Sequence, residues 1–376
     1  MRRAYALLIL WRDRGRYLPA VFAVAFSCLL ITLEVGLLVG TLAKLSVPID
    51  RSRADIWVTA TNVPSIDLGF PIPESWLSRA AGFSGVDRVE NYVYSVGLWK
   101  KPGTGSELVA VIGSRLGDGA VGPISDLTPE LRVRLSEPGS IAVDESELSR
   151  LGLTRIGDVA EIYGHRVRLA GVLRGYNSPG AAFVFCSLAT ARRLMPLFWQ
   201  HPTSTMYLLV RCRQAEDVPA VLARLRAFPN MAAYTRREFS IRTQWYWMTR
   251  TNAGVALVCT ACLALLVGLV VTSQTLYAAV VSSLREYAVL RALGIARGRM
   301  AGLVLAQSFW IGLSGVALGL PGSFALAAAG DRVGATVALP WWLLTASTVV
   351  TVGMGLVSGL TALRSLRLVE PITLLR

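Results

Sequence analysis

Few side chains in this 376-residue chain are of the types that do chemistry, and their spacing argues against most of it. There are two histidines and five cysteines. His165 sits at a predicted turn and His201 stands beside Pro202, so both read as surface residues rather than ligands. No H-E-x-x-H motif and no paired Cys/His spacing points to a metal. Cys259-x-x-Cys262 has the spelling of a redox motif. It falls inside a long apolar run, where no helix N-terminus lowers a thiol pKa and water is absent, so packing is the better reading. Cys186 and Cys212 could form a disulfide only if their Cα atoms came within about 7 Å, and the sequence leaves that open. No G-x-x-x-x-G-K-[ST] loop is present, so the chain has no phosphate cradle of that kind. Glu34 is the one acid inside a predicted membrane span, roughly 24 Å along the helix from Leu18. An intramembrane carboxylate is a candidate polar site by default. No second intramembrane acid or base offers a proton relay, which favours a hydrogen-bonded or protonated side chain at a helix contact. No catalytic set emerges.

The elements that must position these residues are mostly bilayer helices. The chain is 53% hydrophobic and only 16% charged, which excludes disorder and a disulfide-dense secreted scaffold. Four stretches are long enough for a core of ~30 Å, which needs roughly 20 helical residues. They are predicted at 18–42, 253–279, 300–329 and 341–361. The first is too long for a cleaved signal and lacks a clean cleavage site. The net charge is +14, and all but Lys44, Lys100 and Lys101 of the 38 basic residues are arginine. Twelve arginines fall in three short segments, 1–17, 280–299 and 362–376. Short basic segments stay in the cytoplasm, whereas long domains cross regardless of charge. Both termini and the 280–299 loop are therefore expected inside, with 43–252 and the short 330–340 loop outside. Trp245, Tyr246, Trp247, Trp341 and Trp342 suit the outer interface, and Trp11 and Tyr17 the inner one. The basic charge is a topology signal, and nucleic acid is not an expected partner. Gly36-x-x-x-Gly40, Gly315-x-x-x-Gly319 and Gly355-x-x-x-Gly359 have spacings that let helix backbones approach closely, and Pro321 predicts a kink in span three.

Residues 43–252 read as a mixed α+β domain, with room for two lobes. Strands are predicted at 54–59, 89–99, 108–112, 140–144, 182–186 and 205–210. Residues 158–173 predict a hairpin turning at Gly164-His165. Helices are expected from Pro73, over 145–151 up to Gly152, from Ser187, and over 218–228.

The most informative stretch is the second short basic loop. Residues 283–293 read as an amphipathic helix stopped by Gly294. Such a helix suits either the membrane surface or a groove on a cytoplasmic partner. Leu284-Arg-Glu-Tyr-Ala-Val-Leu-Arg-Ala-Leu-Gly294, followed by Arg297, resembles the hallmark of the FtsX/MacB-type permeases of ABC exporters. The ending, from Arg364 through Glu370-Pro371-Ile372 to Leu374-Leu375-Arg376, is similar to their C-terminal signature. The one-plus-three layout of spans also matches. Within that superfamily, Arg16-Tyr-Leu-Pro-Ala20, Ala54-Asp-Ile-Trp-Val58 and Thr272-Ser-Gln-Thr-Leu-Tyr-Ala278 look like DevC-type permeases. Glu34 departs from the neutral polar residue expected there.

The resemblance implies a four-helix membrane protein with an extracytoplasmic domain of MacB periplasmic-core type, placed in the inner membrane as a homodimer. It implies that ATP and Mg are bound by a separate ABC ATPase subunit, so this chain is no enzyme and holds no cofactor. The residues that would seat on the ATPase are Ser283, Leu284, Arg285, Glu286, Tyr287, Ala288, Val289, Leu290, Arg291, Leu293 and Gly294. It further implies that ATP-driven motion passes along spans one and two to the outer domain, which works with a membrane fusion (adaptor) protein and a TolC-like outer-membrane duct. The alternative is an FtsX-like regulator of a cell-wall hydrolase, which the DevC-like segments and the larger outer domain argue against.

Overall fold

The computed structural model describes residues 14–101, 105–122, 127–282, 297–332 and 335–368. In chain order, α1 (Arg14–Leu45) is followed by β1 (Ile56–Ala60), β2 (Ile72–Pro73), α2 (Ser75–Ala81), β3 (Val86–Lys100) and β4 (Ser106–Ser114). Next come α3 (Pro129–Ser136), β5 (Ser140–Asp144), β6 (Val159–Ile162), β7 (His165–Leu173), β8 (Ala182–Ser187) and α4 (Leu188–Leu194). Then β9 (Ser204–Thr205), β10 (Tyr207–Cys212), α5 (Val218–Arg226), β11 (Met231–Thr235) and α6 (Arg236–Arg250) lead to three long helices, α7 (Asn252–Ser282), α8 (Arg297–Arg332) and α9 (Trp341–Leu368). The chain divides into two compact units: Met1–Gly40 with Asn252–Arg376, and Thr41–Thr251.

The first unit is helical. Tyr17–Leu45, Asn252–Ala279, Ala301–Asp331 and Trp341–Leu360 are each long and apolar enough to cross a membrane. Their outward faces carry large apolar side chains such as Leu263 (58% exposed) and Val349 (71%). In water such a surface would drive association, and in lipid it is the expected solvent contact. Helix α8 runs unbroken through Pro321. The ring removes the donor that Ala317 would otherwise receive, and one turn on, Ser323 Oγ donates to the Gly319 carbonyl at 2.9 Å.

The second unit is the α+β domain, and β3 organises it. This 15-residue strand is long enough to serve two sheets in succession. Its first half, up to Tyr92, pairs with β10, and the order β11-β1-β10-β3 forms an antiparallel four-stranded lobe. Its second half, from Val93, pairs with β4 and continues β4-β8-β5-β7-β6. Strand β6 returns to β3 through Trp99↔Ile162 and Lys100↔Glu161, so six strands close on themselves. Closure leaves no free edge in this second lobe.

Strand alternation explains the cores. Ile56 and Val58 of β1 face Leu208, Val210, Val221 and Leu225, under α5. Trp57, between them, points the other way and meets Tyr92, Tyr207 and Phe239 at ring-centroid distances of 5.1, 5.8 and 5.5 Å. Helix α6 delivers Phe239, and it starts at a capping box in which Thr235 and Glu238 each bond the other's backbone N–H. The β6–β7 turn is Tyr163-Gly164, one residue earlier than expected, with both residues at positive φ as a type I′ turn requires. The expected helix over 145–151 reduces to a 3₁₀ turn, Glu145–Glu147. The carboxylates there are turned outward from helix formation to hold a loop: Asp144 accepts from Tyr176 N–H at 2.6 Å, and Glu147 from Ser178 N–H at 3.3 Å.

Candidate coupling and helix-packing site

The expected coupling residues, Ser283 to Gly294, lie outside the described residues, as do Glu370 to Arg376. Described structure resumes on either side of the loop, with α7 ending at Ser282 and α8 beginning at Arg297.

The paired glycines all sit at close contacts, with different kinds of partner. A Cβ added at Gly315 would fall 2.5 Å from Val24 Cγ1, and one at Gly319 2.7 Å from the Ala25 carbonyl oxygen. These two glycines therefore let α8 lie directly against α1 over Val24 to Cys28. Gly359 abuts the Ser308 hydroxyl and Gly355 approaches the Ser308 carbonyl, which joins α9 to α8. Gly36 and Gly40 meet no helix. Their face of α1 receives the extended segment 335–340 between α8 and α9, and Ala338 N–H donates to the Gly36 carbonyl at 3.0 Å. A Cβ at Gly40 would strike the Thr336 carbonyl oxygen. Glycine spacing carried the signal for close approach, but nothing in that spacing says whether a helix or an extended strand arrives.

Small hydroxyls, which the sequence reading passed over, make the polar contacts between membrane helices. Thr272 Oγ1 donates to Ser27 Oγ at 3.1 Å, joining α7 to α1, and the Ser27 hydroxyl lies within donor range of both the Ala23 carbonyl on its own helix at 2.9 Å and the Gly268 carbonyl on α7 at 3.2 Å. Ser273 and Ser358 hydroxyls lie 2.9 Å apart, joining α7 to α9. The signal available in the sequence was Ser and Thr inside otherwise apolar runs, the residues that hydrogen-bond between helices in lipid. Tyr17, Ala20 and Val24 of α1 pack with Leu276, Ala279 and Ile311. Glu34 is half-buried on α1 and makes no hydrogen bond or ion pair among the described residues.

The remaining chemical candidates are dispersed. Cys186 on β8 and Cys212 on β10 are both buried and both free, in separate hydrophobic clusters. Burial pushes the Cys186 thiol well up. Burial, and then the Asp55 and Asp217 carboxylates, push the Cys212 thiol up to about 11. Cys259 and Cys262 are exposed on α7. His165 opens β7 half-buried, and His201 is exposed. Among the described residues no three His, Cys, Asp or Glu side chains converge as a metal site would require.

Comparison with known proteins accounts for both units. Residues 18–228 match the MacB-like periplasmic core domain, and residues 258–371 match the FtsX-like permease C-terminal family. Among solved structures, the extracellular domain of the noncanonic ABC-type transporter YknZ from Gram-positive bacteria is similar at 13% identity and a TM-score of 0.34, covering 48% of this chain and 98% of that one. The periplasmic region of MacB from Actinobacillus actinomycetemcomitans is similar at 12% identity and a TM-score of 0.35, covering 50% and 92%. No curated protein matches. Four helices long and apolar enough to cross a membrane, an inserted α+β domain and two family matches that together reach from residue 18 to residue 371 make this chain a member of the FtsX/MacB family of ABC-type permeases.

Proposed function

We propose that this permease is the membrane-spanning subunit of an exporter driven by a separate ATPase. Two copies of the chain work as a homodimer in the inner membrane, with both termini and the 280–299 loop in the cytoplasm. The loop helix at Ser283 to Gly294 seats on the ATPase subunit, which holds ATP and Mg. Its motion travels through α1 and α7 to the α+β domain outside, which acts with an adaptor protein and an outer-membrane duct. The DevC-like segments favour export over control of a cell-wall hydrolase.

The observation that carries this reading is the bond between α1 and α7. These are the two helices that lead directly into and out of the inserted domain. They are joined through Thr272, Ser27 and the Gly268 carbonyl. The loop helix follows α7 without a break in sequence, so a push at 283–294 reaches the helix pair that flanks the domain. Ser27, Thr272, Ser273 and Ser358 each take part in a contact between helices.

The test is at the loop. Glu286→Arg and Ala288→Trp each leave membrane insertion intact and abolish the stimulation of transport by ATP. Co-purification of the ATPase is weakened. Variants that transport and co-purify like the parent would refute the coupling role.

A further inference from the structure

Arginines from three separate elements line one concavity of the α+β domain, and among the described residues no carboxylate lines it. Arg53 comes from the link between α1 and β1, Arg115 directly follows β4, and Arg132 lies on α3. The wall is held in place by backbone: Arg53 N–H donates to the Val121 carbonyl at 3.0 Å, and Val121 N–H donates to the buried Glu90 carboxylate at 3.0 Å. Arg115 is exposed and makes no hydrogen bond or ion pair among the described residues. Arg132 reaches only the carboxylate of Asp118 at 3.4 Å, and that side chain is fully exposed. A solvent-exposed pair of this kind holds its partner weakly.

A second observation comes from inside the wall. Ser114 Oγ is buried and has no hydrogen-bond partner. It lies against Gly122, itself a lining residue, where an added Cβ would fall 2.8 Å from the hydroxyl. A buried hydroxyl of this sort is ordinarily answered by a protein group, a water or a ligand. Glycine at 122 lets that backbone lie directly against the hydroxyl.

The chemistry selects the ligand class. Guanidinium groups present planar forks of N–H donors that match the oxygens of phosphate, and several converging on one point favour an anion with several acceptor oxygens. The concavity is shallow and open to solvent, far too small to enclose a drug-sized molecule. Arg53 lies eight residues beyond Leu45, the last residue of α1, so extended chain limits its distance from that helix end to roughly 28 Å. A phosphate on a lipid headgroup and a phosphate in solution present the same kind of oxygens to the guanidinium groups.

We propose that Arg53, Arg115 and Arg132 form an anion site for a phosphate group, supplied by an anionic phospholipid or by a soluble phosphate. The full chain, purified in an uncharged detergent at fixed ionic strength, is titrated with inorganic phosphate, and separately with short-chain phosphatidylglycerol. Sodium chloride serves as the ionic control, and thermal unfolding of the α+β domain is followed. Saturable protection is expected. Arg115→Gln and Arg132→Gln each raise the half-saturating concentration roughly tenfold or more, the scale of one lost charge-assisted hydrogen bond. Arg211→Gln, on an exposed position of β10, leaves it unchanged. Protection by both probes supports recognition of the phosphate group itself, protection by the lipid alone assigns a headgroup source, and protection by inorganic phosphate alone a soluble one. No protection by either probe, protection matched by chloride, or protection undiminished in both pocket variants would overturn the site.

Discussion

Gly40→Ala adds one methyl group, and its consequence follows from what stands opposite. The new Cβ would meet the Thr336 carbonyl oxygen and, at 2.8 Å, the Ala338 backbone nitrogen. Ordinary separations are about 3.5 Å or more. Both obstacles are backbone atoms, so no rotamer change relieves the clash. The 335–340 segment must lift, which endangers the Ala338 N–H to Gly36 carbonyl bond. Overpacking of this kind costs about 1–3 kcal/mol, and the lost hydrogen bond about 1 kcal/mol. The gain in helix propensity from glycine to alanine offsets about 0.5–1 kcal/mol. Gly40→Ala is therefore destabilising by roughly 1–3.5 kcal/mol on these terms. The same substitution at Gly353, on α9, meets nothing within 4 Å. It should leave stability unchanged or raise it by about 0.5–1 kcal/mol. The assay compares both variants with the parent in one detergent, following denaturant or thermal unfolding through a probe in the helical unit. Transport is measured alongside, since a lifted connector frees the end of α1. A Gly40→Ala protein as stable as the parent, or a Gly353→Ala protein that loses as much, would refute the seating of the connector on α1.

Glu34→Gln removes the carboxylate within the apolar length of α1 while keeping its shape. Transport should be nearly intact, and complete loss at normal expression would instead indicate proton coupling. Asp158 is held well below the usual carboxylate range by the Thr154 N–H and hydroxyl first, with Arg155 N–H and Lys101 adding to them. A depressed folded pKa contributes stability that is present above about pH 4 and is lost as the pH falls through the folded value. Asp158→Asn should therefore lower stability at neutral pH and flatten the acid limb of the stability curve; an unchanged limb in pH-dependent denaturation would count against the loop geometry at Thr154. A reporter fused after Arg376 should read as cytoplasmic and one inserted near Gly119 as external, and the reverse pattern would overturn the topology.

What the sequence disclosed and what it hid divide along the range of the interactions involved. The membrane helices were legible because their cause is local: a long apolar run needs no partner to declare itself in lipid. Ser187 was legible as a helix start because its side chain accepts from Thr190 N–H three residues on. Closure of the six-stranded lobe was not legible, since Trp99 and Ile162 are far apart in sequence and neither strand carries a mark of the other. Helix α6 was missed for a related reason. Trp245, Tyr246 and Trp247 looked like interfacial aromatics ahead of a span. The helix is anchored through distant partners instead: Arg242 Nε on the Val63 carbonyl, Gln244 Nε2 on the Ser46 hydroxyl, and Trp247 Nε1 on Asp67. The coupling role of 283–294 is an expectation from resemblance alone, because an amphipathic stretch of that length has the same pattern whether it meets lipid or protein.

The contacts of α1 differ in how firmly they resist sliding, and this bears on how a stroke would spread. Against α8, the glycines at 315 and 319 bring backbone into touch with Val24, Ala25 and Cys28. Against the connector, Gly36 and Gly40 do the same and a backbone hydrogen bond adds direction. Shifting α1 along either surface would drive Cβ atoms or carbonyls into occupied backbone, since close-packed interfaces are bistable rather than continuously deformable. Against α7 the polar link runs from Thr272 to Ser27 and the Gly268 carbonyl, and Gly268 brings that backbone against Ile31 and Ser27. Hydroxyls rotate to find new partners, and in membrane helices each such bond is worth only about 0.6 kcal/mol on average. In the proposed coupling, a push entering at 283–293 would reach α7 first, with α1, α8 and the connector as the body it moves against. Because α7 and α1 bracket the α+β domain in sequence, displacement of one against the other would then move the two attachment points of that domain relative to each other.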